Sequence, residues 1–439
     1  MIDWKIYYKF DFFAFILALC LAGFGLVIIA GATGDVEGDT LFVDQFQRVI
    51  LGIFCLLAVT LVEYRTLVRF APLIYILGLL SLLFCFVPYV GLWRKGAYSW
   101  VNIAGVFQIQ PGEFAKLCTI LMLTRILSTK KDQWQNLWGI LRPLLIGCLP
   151  SLIILKQPDL GTAIVFGPIT LLMMLVAGMP LAYFLILFSP LLGLFAISSD
   201  PLVFLCWLGC TMILLLVIYL KRIHWSIWVP FVSLGLLLYA TIYLHGESIW
   251  EKLPPHQKGR IVGYLNPDFE PMSTNFNINQ SKIALGSGGF WGKGVGKGTQ
   301  TQLEFLPEYR HDFVFSALGE QVGFLGSGIV LGIFLLLIIR GLDTATETKT
   351  LQGALIATGI VSLYFTHIFI NVGMATGLLP VTGLPLTFIS YGGTFMLSNM
   401  IGVGLLINIR MRTSSELLKD SFSSGRPAMA IPSTIADDF

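Results

Sequence analysis

Glu304, Glu308, Arg310, His311 and Asp312 crowd into the stretch TQLEFLPEYRHDFVF, Thr301 to Phe315, of a chain that otherwise avoids charge. Asp312 is the last polar residue before an apolar run from Phe313 to Ile339, broken mainly by Glu320 and Gln321. Two chemistries are open to such a carboxylate. At a helix N-terminus it is stabilised by the helix dipole, by about 0.3–1 kcal/mol, and needs no other role. At the edge of a cavity in a membrane it is partly desolvated, its pKa rises, and it is suited to act as a general base. Arg310 and His311 beside it would favour an anionic ligand such as a pyrophosphate.

Other charged groups at the edge of apolar segments are few, so each is a candidate. Glu113 and Lys116, in QPGEFAKL, stand three apart on one helix face, where they can pair. The pair either closes a helix end or serves a site. Asp159, in KQPDLGT, precedes a new helix and is placed to cap it at Gly161 and Thr162, or to lend a carboxylate to a site. Trp100, in GAYSWVNI, has the type and place of an interfacial anchor. His367 and Asn371, four apart on one helix face, point toward the irregular stretch that follows.

The elements that must position these residues are membrane helices. Of the 439 residues 56% are hydrophobic and 12% charged, and mean hydropathy is +0.80. Soluble domains carry about 25% charged residues, so a soluble domain is excluded. The net charge of +3 says little about partners. All seven cysteines lie in apolar runs without a CxxC spacing, which implies neither a disulfide framework nor a zinc site. Candidate spans fall at about 12–31, 46–64, 70–91, 113–129, 140–156, 160–178, 181–198, 202–220, 226–245, 313–340, 351–371 and 394–409, twelve in all. Pro143 and Pro150 interrupt the fifth. Ala30-Gly31-Ala32 resembles a signal-peptidase site, but the apolar run from Phe12 to Ile29 exceeds an h-region of about 7–15 residues and reads as a retained helix.

Lysine and arginine set the orientation. With the N-terminus inside, the inner loops and adjoining helix ends hold sixteen of them, among them Arg65, Arg69, Arg125 and Arg340; the short outer loops hold four, Arg48, Arg94, Lys95 and Lys156. Both termini are expected inside, and the long loop 246–312 outside. Its glycines fail the phosphate-loop pattern, since Trp291 stands where the first glycine belongs and Gly298 where Ser or Thr is required. It reads as a folded, glycine-turned loop. Residues 371–393, with five glycines and two prolines, cannot form one helix. Irregular backbone at membrane depth is buried in protein or lines a wet cavity, so a cavity is expected near the outer face between the last two helices; a simple outer loop is the other reading. The polar tail 413–439 is expected to be disordered, and residues 1–412 to form a single polytopic domain.

Several stretches resemble one family, the SEDS membrane glycosyltransferases of the RodA and FtsW type. They are QPGEFAKL, QPDLGTAI, LNPDFEP, NQSKIALGSGGFWGKGVGKGTQTQLEFLPE, DFVFSALGEQVGFLG and HIFINVGMATGLLPVTGLPLTFISYGG, in the family order. GTQTQLEFLPE is similar to the RodA, or elongation, branch. The resemblance implies an all-α polytopic protein of about twelve transmembrane helices: the family's ten plus an extra hairpin near 181–220. It implies polymerisation of lipid II into β-1,4-linked glycan outside the membrane, with release of undecaprenyl pyrophosphate. By motif, Asp312 matches the family's aspartate, Trp100 its functionally sensitive tryptophan, and Glu113 with Lys116 its glutamate–lysine pair. Asp159, Arg260 and Glu304 rank second. Lys293, His367, Asn371 and Ser390, in the same motifs, and Arg310, beside Asp312, complete the substrate-binding candidates. Arg310-His311-Asp312 stands where the family commonly has His-Thr-Asp, and Tyr98 and Ser99 replace the common basic residues before the tryptophan.

The implied partner is a class B penicillin-binding protein, a transpeptidase, alongside membrane lipids and no nucleic acid. The implied place is the cytoplasmic (inner) membrane with the site on its outer side. No cofactor and no metal ligand set is assigned; a divalent cation, Mg or Mn, is left open. Two other classes share some of these features: a lipid II flippase, and a non-catalytic scaffold for the transpeptidase. Glycan formed from lipid II in detergent, where there is no second side to reach, separates the enzyme from the flippase.

Overall fold

The computed structural model describes residues 9–33, 40–88, 90–94, 97–103, 107–129, 134, 137–181, 183–184, 251, 258–259, 276–303, 305–306 and 308–423. Numbered over these residues, the helices are α1 Phe12–Thr33, α2 Leu41–Leu61, α3 Tyr64–Arg69, α4 Ala71–Phe84, α5 Pro111–Leu127, α6 Leu137–Lys156, α7 Leu160–Ile164 and α8 Phe166–Val176. After the central stretch come α9 Phe276–Ser287, α10 Thr299–Gln302, α11 Val314–Glu347, α12 Leu351–Thr376 and α13 Gly393–Ser423. Six of these (α1, α2, α6, α11, α12 and α13) are long and apolar enough to cross a membrane; α4 and the α7–α8 pair are apolar but shorter. Apart from Leu181, Tyr183 and Phe184, the expected hairpin 181–220 lies outside the described residues, as does the span 226–245.

Helices α12 and α13 form the centre. In their apolar windows 78% and 83% of positions are buried, against 22% in α2 and 28% in α6. The peripheral helices turn apolar side chains outward, among them Phe12, Phe54 and Leu73. That is stable where the surroundings are acyl chains and not water. α2 packs along α13, α11 along α12, α4 along α5, and α8 on α12.

Three expectations change, and α11 carries a break that none of them covered. The chain is not all-α: Gly91–Arg94 (β1), Ala97–Ile103 (β2) and Phe107–Ile109 (β3) form a small antiparallel sheet in order β1-β2-β3. Leu92 pairs with Trp100, and Val101 with Ile109. Short strands in a connecting loop leave too few alternating residues to stand out beside long apolar runs. The prolines do not break α6, which is continuous over 20 residues with Pro143 and Pro150 inside. Pro150 cannot donate to the Ile146 carbonyl one turn back, and the Tyr75 hydroxyl donates to that carbonyl instead, at 2.6 Å. The last helix runs on to Ser423, past the expected start of the tail at 413. Helix α11, finally, is not uniform: Gly323 has φ 70° and ψ −167°.

That break is filled from the outer loop. The amides of Phe324 and Leu325, which in a regular helix bond to Glu320 and Gln321, donate to Gly289 (2.9 Å) and Phe290 (3.1 Å). The carbonyls thus released accept from Lys293 and Gly294, each at 3.0 Å. The loop is stitched into the helix with all four groups paired. Gly323 is required twice over, by its positive φ and because a Cβ there would lie 2.2 Å from the Gly292 nitrogen. The loop turns on Gly289, Gly292, Gly294 and Gly296, all with positive φ, as expected of a glycine-turned loop.

The start of the first helix and the later parts of α11 and α13 lie together at one end of the bundle. Asp11, just before α1, is bidentate to Arg340 near the end of α11, at 2.8 and 3.1 Å, and lies 3.6 Å from Arg410 on α13. The starts of α5, α7, α11 and α13 gather at the opposite end, around a cavity.

Candidate active site

The cavity has a volume of about 150 Å³. Its walls come from five places: Ala97, Ser99 and Trp100 on β2; Gln110 before α5; Pro158 to Leu160 and Thr162 at α7; His311 and Asp312 before α11; and Thr382, Gly383, Pro385, Tyr391, Gly392 and Phe395 between and on the last two helices. Residues far apart in sequence, Trp100, Asp159 and Asp312, therefore line one cavity. The irregular stretch after α12 does line a cavity. Its close approach to α7 depends on Gly161, where a Cβ would lie 2.5 Å from the Thr382 carbonyl oxygen.

Asp159 caps α7 as expected, accepting from the Thr162 amide at 3.0 Å and the Thr162 hydroxyl at 2.9 Å. It also accepts from Ser99 Oγ at 3.0 Å, which ties the sheet to the helix. The helix-cap role and a place in the cavity wall coexist. Asp312 sits on a turn of backbone bonds, its amide donating to Glu308 at 3.1 Å. Two side chains from the final helix pair's region fix that turn. Asn371 Nδ2 donates to the Asp312 carbonyl (2.8 Å) and to the Leu384 carbonyl (2.7 Å). Ser390 Oγ donates to the His311 carbonyl at 2.6 Å and accepts from the Leu386 amide. The His311 ring nitrogen Nδ1 lies 2.9 Å from the Tyr391 carbonyl. Asn371 and Ser390 thus meet the Asp312 turn through its backbone.

Glu113 and Lys116 pair as their spacing predicts, with Lys116 Nζ 2.8 Å from one carboxylate oxygen and 2.9 Å from the other. They do not line the cavity, however. Glu113 is 2% exposed and Lys116 0%, and both lie beneath Phe395: Lys116 Nζ is 5.8 Å from that ring's centroid. His367, also fully buried, completes a triad. Its Nδ1 donates to the Pro385 carbonyl at 3.0 Å, so Nε2 is left to accept from Lys116 at 2.9 Å. Ser398 adds a hydroxyl at 3.4 Å from Glu113. With Ser398 the triad joins α5, α12 and α13 directly under the cavity floor, and His367 grips Pro385, a lining residue.

Lys293 is turned elsewhere. It donates to Glu320 at 2.8 Å, and Glu320, fully buried, also accepts from the Thr299 hydroxyl and from the amides of Gln300 and Thr301. Arg310 Nε donates to the Tyr309 hydroxyl at 2.8 Å. Arg260 and Glu304 lie outside the described residues. Among the described residues no group of three or more His, Cys, Asp or Glu side chains could hold a metal ion.

Ser99, Gln45, Arg48 and Tyr391 were not among the candidates, yet all four take part in or support the site. Gln45, buried on α2, receives the Gly392 amide at 3.3 Å. Arg48 stacks its guanidinium 4.4 Å from the Tyr391 ring centroid, and Tyr391 Oη donates to Asp44 at 3.5 Å. Burial pushes the Tyr391 phenol up, against the opposing pull of Arg48. The available signal was the row Asp44, Gln45 and Arg48, on one helix face at the edge of an apolar span.

The family profile described as "Cell cycle protein", spanning FtsW, RodA and SpoVE, matches residues 11–208 and 206–415. The peptidoglycan glycosyltransferase RodA of Treponema pallidum is 32% identical over 437 residues, covering 92% of this chain and 98% of that protein. Stage V sporulation protein E of Bacillus subtilis is 33% identical over 407 residues, covering 91% and 96%. A solved chain from a peptidoglycan synthase complex, described as coordinating polymerization and crosslinking, superposes with a TM-score of 0.66 at 23% identity, over 92% of this chain and 98% of that one.

Proposed function

The chain belongs to the FtsW, RodA and SpoVE family, and from that premise we propose that it is a peptidoglycan glycosyltransferase that polymerises lipid II, with Asp312 as general base. The observation that carries this reading is the convergence of Trp100, Asp159 and Asp312 on one cavity, at the end of an integral membrane bundle opposite to Asp11 and Arg410. The lysine and arginine distribution supports reading that end as the outer one, and the family resemblance supports the inner membrane as its place. A role in cell elongation follows the RodA-like stretch GTQTQLEFLPE.

In this reading the acceptor sugar hydroxyl sits against Asp312. A carboxylate's reference pKa is about 3.9, far below that of a sugar hydroxyl. It cannot take the proton beforehand and accepts it as the new glycosidic bond forms. The anomeric bond of the donor breaks on the opposite face, and the electron pair leaves with undecaprenyl pyrophosphate. Asn371 and Ser390 hold the backbone of the Asp312 turn, which fixes where the carboxylate can reach. The Glu113–Lys116–His367 triad holds the floor. A class B penicillin-binding protein would join in the membrane and cross-link the product.

The test is purified Asp312→Asn protein with its transpeptidase, given lipid II in detergent. Loss of a general base costs about 10²–10⁴ in rate, while Asn preserves shape and serves a helix start nearly as well. A folded, partner-binding variant without glycan synthesis is the expected outcome. Glycan formed at the wild-type rate would return Asp312 to a helix-end role. Wild-type protein that moves lipid II across vesicles and makes no glycan would favour the flippase.

A further inference from the structure

At the end of the bundle away from the active cavity, a second cleft of about 290 Å³ is lined by Arg65, Val68, Arg69, Arg125, Ser128, Thr129 and Gln352. It lies between the short helix α3, the end of α5 and the start of α12. Three guanidiniums border one open space together with two hydroxyls and an amide. Glu63 lies 3.7 Å from Arg65; among the described residues, no carboxylate is within salt-bridge distance of Arg69 or Arg125. Arg125 is held in place by donating from Nη1 to the carbonyls of Val68 and Arg69, at the end of α3. Gln352 reaches Ser128 Oγ at 3.5 Å across the cleft.

Helix dipoles account for a cation at the end of α3 and another at the end of α5. They do not account for a third guanidinium in the same cleft; the Ser128 and Thr129 hydroxyls, by contrast, donate to the Arg125 and Ile126 carbonyls that close α5. Grouped arginines fit a phosphate, whose oxygens accept several hydrogen bonds at once. The surroundings distinguish a lipid from a soluble phosphate. Leu61 and Val62 precede the cleft with 48% and 42% of their surface exposed, Phe70 adjoins Arg69 at 53%, and α4 continues with exposed Leu73, Ile76 and Leu77. A headgroup in the cleft would have apolar surface directly alongside for its acyl chains. Basic pockets between membrane helices recognise anionic lipid headgroups by this combination.

We propose that this cleft binds the phosphate headgroup of an anionic phospholipid. Purified protein in neutral detergent would be titrated with dioleoylphosphatidylglycerol, dioleoylphosphatidylcholine or inorganic phosphate, and bound lipid read by native mass spectrometry. Phosphatidylglycerol is expected to bind at concentrations where phosphatidylcholine does not, and an excess of inorganic phosphate is expected not to displace it. Each arginine near a membrane surface contributes about fivefold in affinity, so Arg65→Gln with Arg69→Gln should weaken phosphatidylglycerol about 25-fold. Ser128→Asp, on a different helix, should weaken it at least as much by placing a carboxylate among the guanidiniums. Wild-type binding by either folded variant overturns the proposal. So does equal binding of phosphatidylcholine, and displacement by inorganic phosphate would make the site one for soluble phosphate.

Discussion

The Lys116 ammonium stands fully buried between a carboxylate and an imidazole, and its loss is unequal to the loss of the whole pair. Lys116→Met leaves Glu113 buried without its cation, which costs roughly 3–5 kcal/mol. Adding Glu113→Gln removes the stranded charge, so the double variant should recover most of that stability. Thermal unfolding of both variants in detergent measures this; a double variant no more stable than Lys116→Met would mean that the carboxylate is not the source of the cost. Lipid II polymerisation should stay low in both, since neither restores the grip on His367 and Pro385. Tyr391 gives a pH expectation. Burial raises its phenol above the ordinary value of about 10, so it stays protonated between about pH 6 and about pH 9. Tyr391→Phe should therefore leave the shape of the pH–rate profile unchanged across that range, whatever it does to the rate. A lost alkaline limb would contradict this.

The stitched break in α11 is the device that matters among the elements. Glu320 takes its donors from one short segment: Lys293 Nζ, two backbone amides and the Thr299 and Thr301 hydroxyls. One buried side chain thereby orders the loop that leads to Asp312. Glu320→Ala strands these groups, and the amides of Gln300, Thr301, Lys293 and Gly294 should exchange with deuterium far faster than in the wild-type protein. Protection unchanged at Lys293 and Gly294 would show that the backbone stitch holds without Glu320. Gly323→Ala attacks the stitch itself, since it puts a Cβ against Gly292 and forces an L-residue to positive φ. It should cost about 1–3 kcal/mol and release the amides of Phe324 and Leu325, which hydrogen exchange reads directly. How far the loop was legible in the sequence follows from the same residues. Its glycines announced turns, and their positions excluded a phosphate loop. Nothing local announced that the turns would dock into a helix, because the docking partner is a break that exists only once the loop occupies it.

Across the whole molecule, Asp11, Arg340 and Arg410 fix one end of the bundle, and the cavity with Asp312 opens at the other. If the charge asymmetry orients this bundle as proposed, a cysteine replacing the 76% exposed Trp291, in a cysteine-free background, should react with an impermeant maleimide on intact spheroplasts. A cysteine at Thr346, near the end of α11, should react only after the membrane is opened. The reverse pattern would invert the topology.

The sequence by itself determined that this is a polytopic membrane protein, since a chain with 12% charge and long apolar runs has no other stable solvent. Its motifs were enough to assign the family and, through that resemblance, to single out Trp100; Asp312 and the Glu113–Lys116 pair stood out as well because intramembrane charge is rare. Which of these meet was decided by tertiary structure alone. Trp100, Asp159 and Asp312 converge because strand β2 and the starts of α7 and α11 meet at one level of the bundle, which no spacing along the chain encodes. Lys116 sits a layer beneath the cavity because Phe395, from the last helix, comes between them. Only a packed neighbour, Tyr75 from α4, allowed α6 to carry Pro150 without breaking. The physical reason is common to all three: backbone pattern is local, whereas a buried polar group is satisfied by whatever the fold brings to it.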